Sequence, residues 1–100
     1  MLIYEITATV DENIAAEYED YMREQHIPDL IATGYFAAAF FAKKGNMYRI
    51  GYHCDSREDL DAYLANHAGR LRAEMASRFP DGIEFSRNEL EILGLFPSPE

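Results

Sequence analysis

The run from Tyr35 to Lys44 constrains this chain more than any other stretch. Read with the two-residue period of a strand, Tyr35, Ala37, Ala39 and Phe41 share one face, and Phe36, Ala38, Phe40 and Ala42 share the other. A strand that is apolar on both faces is covered on both faces. In a chain of 100 residues, helices supply one cover and a second copy of the chain is the economical source of the other. Gly45-Asn46 follows at once and signals a tight hairpin into a further strand, Met47 to Cys54. In that strand Tyr48, Ile50, Tyr52 and Cys54 face one way and Arg49, Gly51 and His53 the other.

The flanking segments supply the rest of the layout. Leu2 to Val10 alternates, with Leu2, Tyr4, Ile6, Ala8 and Val10 against Ile3, Glu5, Thr7 and Thr9, which defines a first strand. Asp11 or Asn13 is placed to cap the helix that follows. Ile14, Tyr18, Tyr21, Met22 and Gln25 fall in one arc at helical spacing. Pro28 is expected to end that helix and to open a short new one closed by Gly34, because the residue before proline disfavours helical geometry. Ser56, followed by Glu58 and Asp59, opens a second long helix whose buried stripe is Leu60, Leu64, Ala68, Leu71 and Met75. Pro80-Asp81-Gly82 turns the chain into a last strand, Glu84 to Leu93.

The order strand, helix, strand, strand, helix, strand is two βαβ halves. It predicts an α+β, ferredoxin-like βαββαβ fold: a four-stranded antiparallel sheet with two helices on one face. One domain spans residues 1–94, and residues 95–100 form a short tail. The other sheet face, carrying Ile3, Thr7, the alanines of the second strand, Arg49 and His53, holds too much apolar surface to stand in water. A two-fold homodimer through that face is expected.

Nine basic against eighteen acidic residues give a net charge of −9. That argues against nucleic acid and anionic membrane surfaces as partners, since Lys and Arg drive both associations. The longest apolar run falls far below the ~18 residues of a membrane span, and no secretory leader precedes the first strand. Cys54, the single cysteine, forms no intrachain disulfide. A cytoplasmic protein is expected.

Several segments carry a resemblance: Ile3-Tyr4-Glu5-Ile6-Thr7, Tyr21-Met22-Arg23 leading to His26-Ile27-Pro28, Ala32-Thr33-Gly34-Tyr35-Phe36, Leu60-Asp61-Ala62-Tyr63-Leu64, and His67-Ala68-Gly69-Arg70-Leu71-Arg72 with Phe79. On these the chain resembles a small bacterial domain-of-unknown-function family within the dimeric α/β-barrel superfamily. The resemblance implies the fold and a dimer, with ligands between helices and sheet. The superfamily includes cofactor-free monooxygenases, small decarboxylases and isomerases, and haem degraders. Haem-degrading relatives pair a histidine on the second helix with an asparagine on the first strand and a tryptophan on the sheet. This chain has His67 but no tryptophan, and its first strand has no asparagine.

The candidate chemistry is acid–base. His26, beside Ile27-Pro28, and His67, flanked by Tyr63 and Glu74, are the candidate proton carriers. Each has a plainer role: His26 as a protonated cap on a helix C-terminus, His67 as a structurally bonded border residue. Tyr4, Tyr21, Tyr52 and Tyr63 are assigned to the lining of a pocket for an apolar or aromatic molecule. The three histidines match no metal-binding spacing, so no metal and no cofactor is expected. The helix start at Ser56 is expected to lower the Cys54 pKa slightly. Two functions stand side by side: a small-molecule binder with or without cofactor-free acid–base turnover, and a non-catalytic dimerisation module with a filled core; a haem-degrading monooxygenase-like activity, implied by the resemblance, ranks third.

Overall fold

The computed structural model describes residues 1–99; Glu100, the end of the expected tail, lies outside them. Strand β1 (Leu2–Val10) leads through a single 3-10 turn, Glu12–Ile14, into helix α1 (Ala15–Tyr21). A π-helical turn, Met22–His26, joins α1 to α2 (Ile27–Ala32). Strands β2 (Ala38–Lys44) and β3 (Met47–Cys54) form the hairpin. Helices α3 (Arg57–Asn66) and α4 (Ala68–Arg78) follow, then β4 (Ile83–Glu91). The sheet order is β2-β3-β1-β4, antiparallel throughout. This is the ferredoxin-like α+β fold.

Strand pairing matches the alternation. Tyr4 lies opposite Tyr52 and Ile6 opposite Ile50, so the helix-facing side chains of β1 and β3 form one row. Ala8, Val10, Ile50, Tyr52 and Cys54 are fully buried there against Tyr18, Leu60 and Leu71 from the helices. The hairpin closes through Gly45-Asn46, with Gly45 at φ 61°, the left-handed region that a two-residue turn asks of its first position. Ser56 caps α3 by accepting from the Asp59 amide at 3.2 Å. Asp11 makes no side-chain cap bond. Strand β2 starts at Ala38 rather than Tyr35, because the bend after Gly34 (φ 87°) turns Phe36 into the core, where it packs on Tyr4 and Tyr63.

Two expectations about the helices are corrected. Pro28 does not end the first helix: backbone angles stay helical through His26 (φ −67°, ψ −52°) and Ile27 (φ −63°, ψ −47°). The π turn explains this. A proline clashes with the carbonyl four residues back, and here the Ile27 amide bonds the Met22 carbonyl, five residues back. The wider turn has a second effect. Tyr18, Met22, His26 and Leu30 are all buried and recur every four residues. In a regular α-helix that stripe would rotate by roughly 40° per repeat, and the π turn returns it toward the sheet. The second helix, expected as one piece, divides at His67, whose φ of −129° interrupts the helical run.

The opposite sheet face is uncovered in the single chain. Phe40, Met47 and Leu90 are exposed there, and beyond β4 so are Leu93, Leu95 and Phe96. Among the described residues no helix is long and apolar enough to cross a membrane.

Candidate functional site

Three elements enclose a cavity of ≈ 290 Å³ between the helices and the concave sheet. Tyr18 comes from α1, Met22 and His26 from the π turn that follows it, Met75 and Phe79 from the C-terminal end of α4, and Ile6, Ile50 and Tyr52 from the sheet. These residues make an apolar interior. The rim between α4 and β4 is polar and exposed, with Arg72, Asp81 and Arg87 beside Phe85.

The interior is not wholly apolar. Among the described residues, Tyr18 Oη, Tyr52 Oη and His26 Nδ1 are buried without a hydrogen-bond partner, and all three side chains line this one cavity. Buried polar groups are nearly always paired, so three unpaired atoms on residues that line one space set it apart from the rest of the core. The chain reaches this arrangement locally in two ways. The four-residue recurrence across the π turn puts Tyr18 and His26 on one helix face, and Tyr52 points up from the middle of the central strand β3.

Burial decides the protonation of all three. It lowers the His26 pKa to about 4, with the positive charge of Arg87 acting in the same direction and Asp29 partly opposing. His26 is therefore neutral near pH 7 and sits inside a continuing helix, which removes the expected role as a protonated C-terminal cap. Burial raises the pKa values of Tyr18 and Tyr52, helped by Tyr48 beside the first and by Tyr63, Tyr18 and Tyr4 around the second. Two tyrosines that keep their protons and one neutral imidazole thus line the cavity, side chains whose polar atoms can hydrogen-bond an oxygen.

The other candidate residues lie nearby. Tyr21 is buried next to His26, the rings 5.8 Å apart, but is not part of the cavity lining. Tyr4 and Tyr63 pack with Phe36 and Tyr52 in an aromatic cluster on the far side of Tyr52. The Tyr4 hydroxyl accepts from Arg72 Nη2 at 2.8 Å, so it touches the site through a lining residue. Burial pushes the Tyr63 pKa up to about 12. His67 lies outside the cavity at the α3–α4 junction, 3.3 Å from Arg70 Nη2 and between the rings of Tyr35 and Tyr63. Cys54 also departs from expectation: burial raises its pKa, its Sγ lies 3.8 Å from the Leu2 carbonyl oxygen, and nearby Asp59 adds to the rise. Sequence reasoning did not single out Arg72 or Arg87, and placed Tyr18 and Met22 in the arc of the first helix. The four-residue recurrence was the one signal that could have found Tyr18 and Met22. Among the described residues no cluster of His, Cys, Asp or Glu is arranged to hold a metal.

Fold and cavity together define a ferredoxin-like α+β protein with a partly polar chamber between helices and sheet. The chain belongs to the family described as a domain of unknown function, DUF4286, whose profile matches residues 1–93. No curated protein sequence matches it. Solved structures share its fold at low identity. A dimeric ferredoxin-like protein from an uncultured marine organism aligns with a TM-score of 0.74 at 9% identity, over 98% of this chain and all (100%) of the other. SnoaB, a cofactor-independent oxygenase from Streptomyces nogalater, aligns with a TM-score of 0.74 at 13% identity, over 97% of this chain and 98% of its own. The heme-degrader MhuD from Mycobacterium tuberculosis, solved with two hemes bound in its active site, aligns with a TM-score of 0.73 at 15% identity, over 97% of this chain and 100% of its own.

Proposed function

We propose that this protein binds a small, largely apolar organic molecule in the cavity between its first helix, α4 and the sheet. The observation that carries this reading is the set of three unpartnered buried polar atoms on one cavity, Tyr18 Oη, Tyr52 Oη and His26 Nδ1. A core filled by its own side chains would satisfy or omit such groups. Ligand sites usually run to about 300–1,000 Å³, so a volume of ≈ 290 Å³ suits a molecule of one or two rings. It does not suit haem, and His67 stands outside the cavity. The tyrosine hydroxyls would orient an oxygen of the ligand. If turnover follows, His26 is placed to carry the proton, as a weak base that gains strength when the ligand brings negative charge to it.

The exposed sheet face is read as the self-association surface. Phe40, Met47 and Leu90 lie there, and a dimeric ferredoxin-like protein shares the fold. Buried Cys54, the only cysteine, suits a reducing compartment such as the cytoplasm. Native mass spectrometry on the purified protein tests both points. The expected spectrum shows twice the 11.5 kDa chain mass with a reproducible small adduct that Tyr52→Phe weakens. A bare monomer that takes up no small organic molecule from a screening library would overturn the reading.

A further inference from the structure

The chain has nine basic and eighteen acidic residues, so a cation on its surface seldom lacks a carboxylate. Arg23 and Lys43 meet Glu19, Arg49 meets Glu5, Arg57 meets Asp61 and Glu89, Arg70 meets Glu74, and Arg78 meets Glu17. Among the described residues, only Lys44, Arg72 and Arg87 have no carboxylate within 4.0 Å. Two of these three, Arg72 and Arg87, line the same cavity. Asp81 shares the rim, yet it pairs with neither. Each guanidinium is positioned without being neutralised: Arg72 donates to the Tyr4 hydroxyl at 2.8 Å, and Arg87 lies over the Phe85 ring at 5.5 Å.

We propose that the ligand of this cavity is an organic anion, an aromatic or cyclic body bearing a carboxylate that Arg87 and Arg72 receive at the rim. The proposal rests on the ligand-binding reading and adds the ligand's charge and orientation. Guanidinium groups match the planar, two-oxygen geometry of a carboxylate better than any other side chain. With the charge held at the rim, the ring reaches inward between Met22, Met75 and Phe79, and a second polar atom meets Tyr18, Tyr52 and His26. In a chain of net charge −9, two uncompensated arginines on one cavity set it apart from the rest of the surface. The charge of Arg87 also works against protonation of His26, so an anion paired with Arg87 would ease that opposition and link binding to proton uptake.

The test is calorimetric titration of the purified full chain with matched probes: benzoate against benzamide, and naphthoate against naphthamide. The acids are expected to bind about tenfold or more tightly than their amides. Arg87→Gln and Arg72→Gln should each weaken acid binding severalfold more than amide binding, and Arg87→Lys should restore part of the preference. Equal binding of acid and amide, or a preference that survives both Gln variants, overturns the charge assignment and leaves the ligand-binding reading standing. Binding of no acid and no amide from either pair overturns both.

Discussion

Arg49 Nη2 donates to both carboxylate oxygens of Glu5, at 2.8 Å each, on the sheet face turned away from the helices. Glu5 is only 6% exposed even in the single protomer, whereas the Arg49 side chain is 54% exposed. The arginine therefore shields a charge that the strand has already drawn out of water. Arg49→Met should destabilise the protein by about 1–3 kcal/mol, the penalty for leaving a charged group without its partner. Adding Glu5→Gln should recover most of that loss. Urea unfolding of the two single variants and the double variant measures the coupling.

Phe40 lies opposite Gly51 across the β2–β3 pair, and its ring occupies the space where a Cβ on Gly51 would stand. Gly51→Ala should keep the fold and push the ring off the exposed sheet face. If that face joins two copies, Gly51→Ala and Leu90→Asp should each weaken self-association by roughly tenfold or more, as loss of a well-packed contact does. Sedimentation equilibrium reports it. Unchanged association in both variants would place the contact between copies elsewhere.

Acid should act on this protein in two separable windows. His26 has a folded-state pKa of about 4 against an ordinary 6.5 because burial disfavours its charged form. Between those values the unfolded chain binds a proton that the folded chain refuses. The contribution is complete above pH 6.5 and is lost as pH falls toward 4, a change on the order of 3 kcal/mol. His26→Gln should flatten the stability profile in that window.

Glu19 governs the lower window. Its carboxylate accepts from Lys43 Nζ at 2.8 Å, Tyr48 Oη at 2.6 Å and Arg23 Nη2 at 3.2 Å, and these donors, Lys43 first, lower its pKa from 4.5 to about 2. Its contribution is complete above pH 4.5 and disappears as pH falls toward 2. Glu19→Gln should remove that part of the acid limb and leave the His26 window intact. Thermal melts of both variants from pH 7 to about pH 2 distinguish the two groups.

Tyr18→Phe and Tyr52→Phe remove hydroxyls that have no partner among the described residues. In the free protein each should be neutral or stabilising by up to about 1 kcal/mol, since a desolvated and unbonded hydroxyl is a cost. With a bound aromatic acid the sign should reverse, because the hydroxyl then has a partner to lose. Melting temperatures with and without saturating naphthoate measure the reversal. Destabilisation in the free protein would mean that the hydroxyls are satisfied within the fold.

Much of this architecture was legible from local pattern. The alternation of β1 and β3 defined their faces, Gly45-Asn46 marked the hairpin, and Ser56 marked the start of α3; each depends on residues within a few positions of one another. The candidate site was legible only in part. His26 and Tyr52 were singled out by residue type and line the cavity, whereas Tyr4, Tyr21, Tyr63 and His67 were singled out on the same grounds and do not. A side chain's type shows what chemistry it can do. Whether it faces an empty space depends on elements far away in the chain.

The sequence by itself determined the element order, the antiparallel layout and the two-faced apolar character of β2, because two-residue and helical periodicities are set by backbone geometry alone. Tertiary structure decided the rest. The π turn at Met22–His26 carried the helical run on through Pro28 in α2, keeping Tyr18, Met22 and His26 on one side. Long-range pairing gave carboxylates to Lys43, Arg49, Arg57 and Arg78, and among the described residues left Arg72 and Arg87 on the cavity without one. A local pattern records which groups can bond, but only the folded chain decides which find a partner.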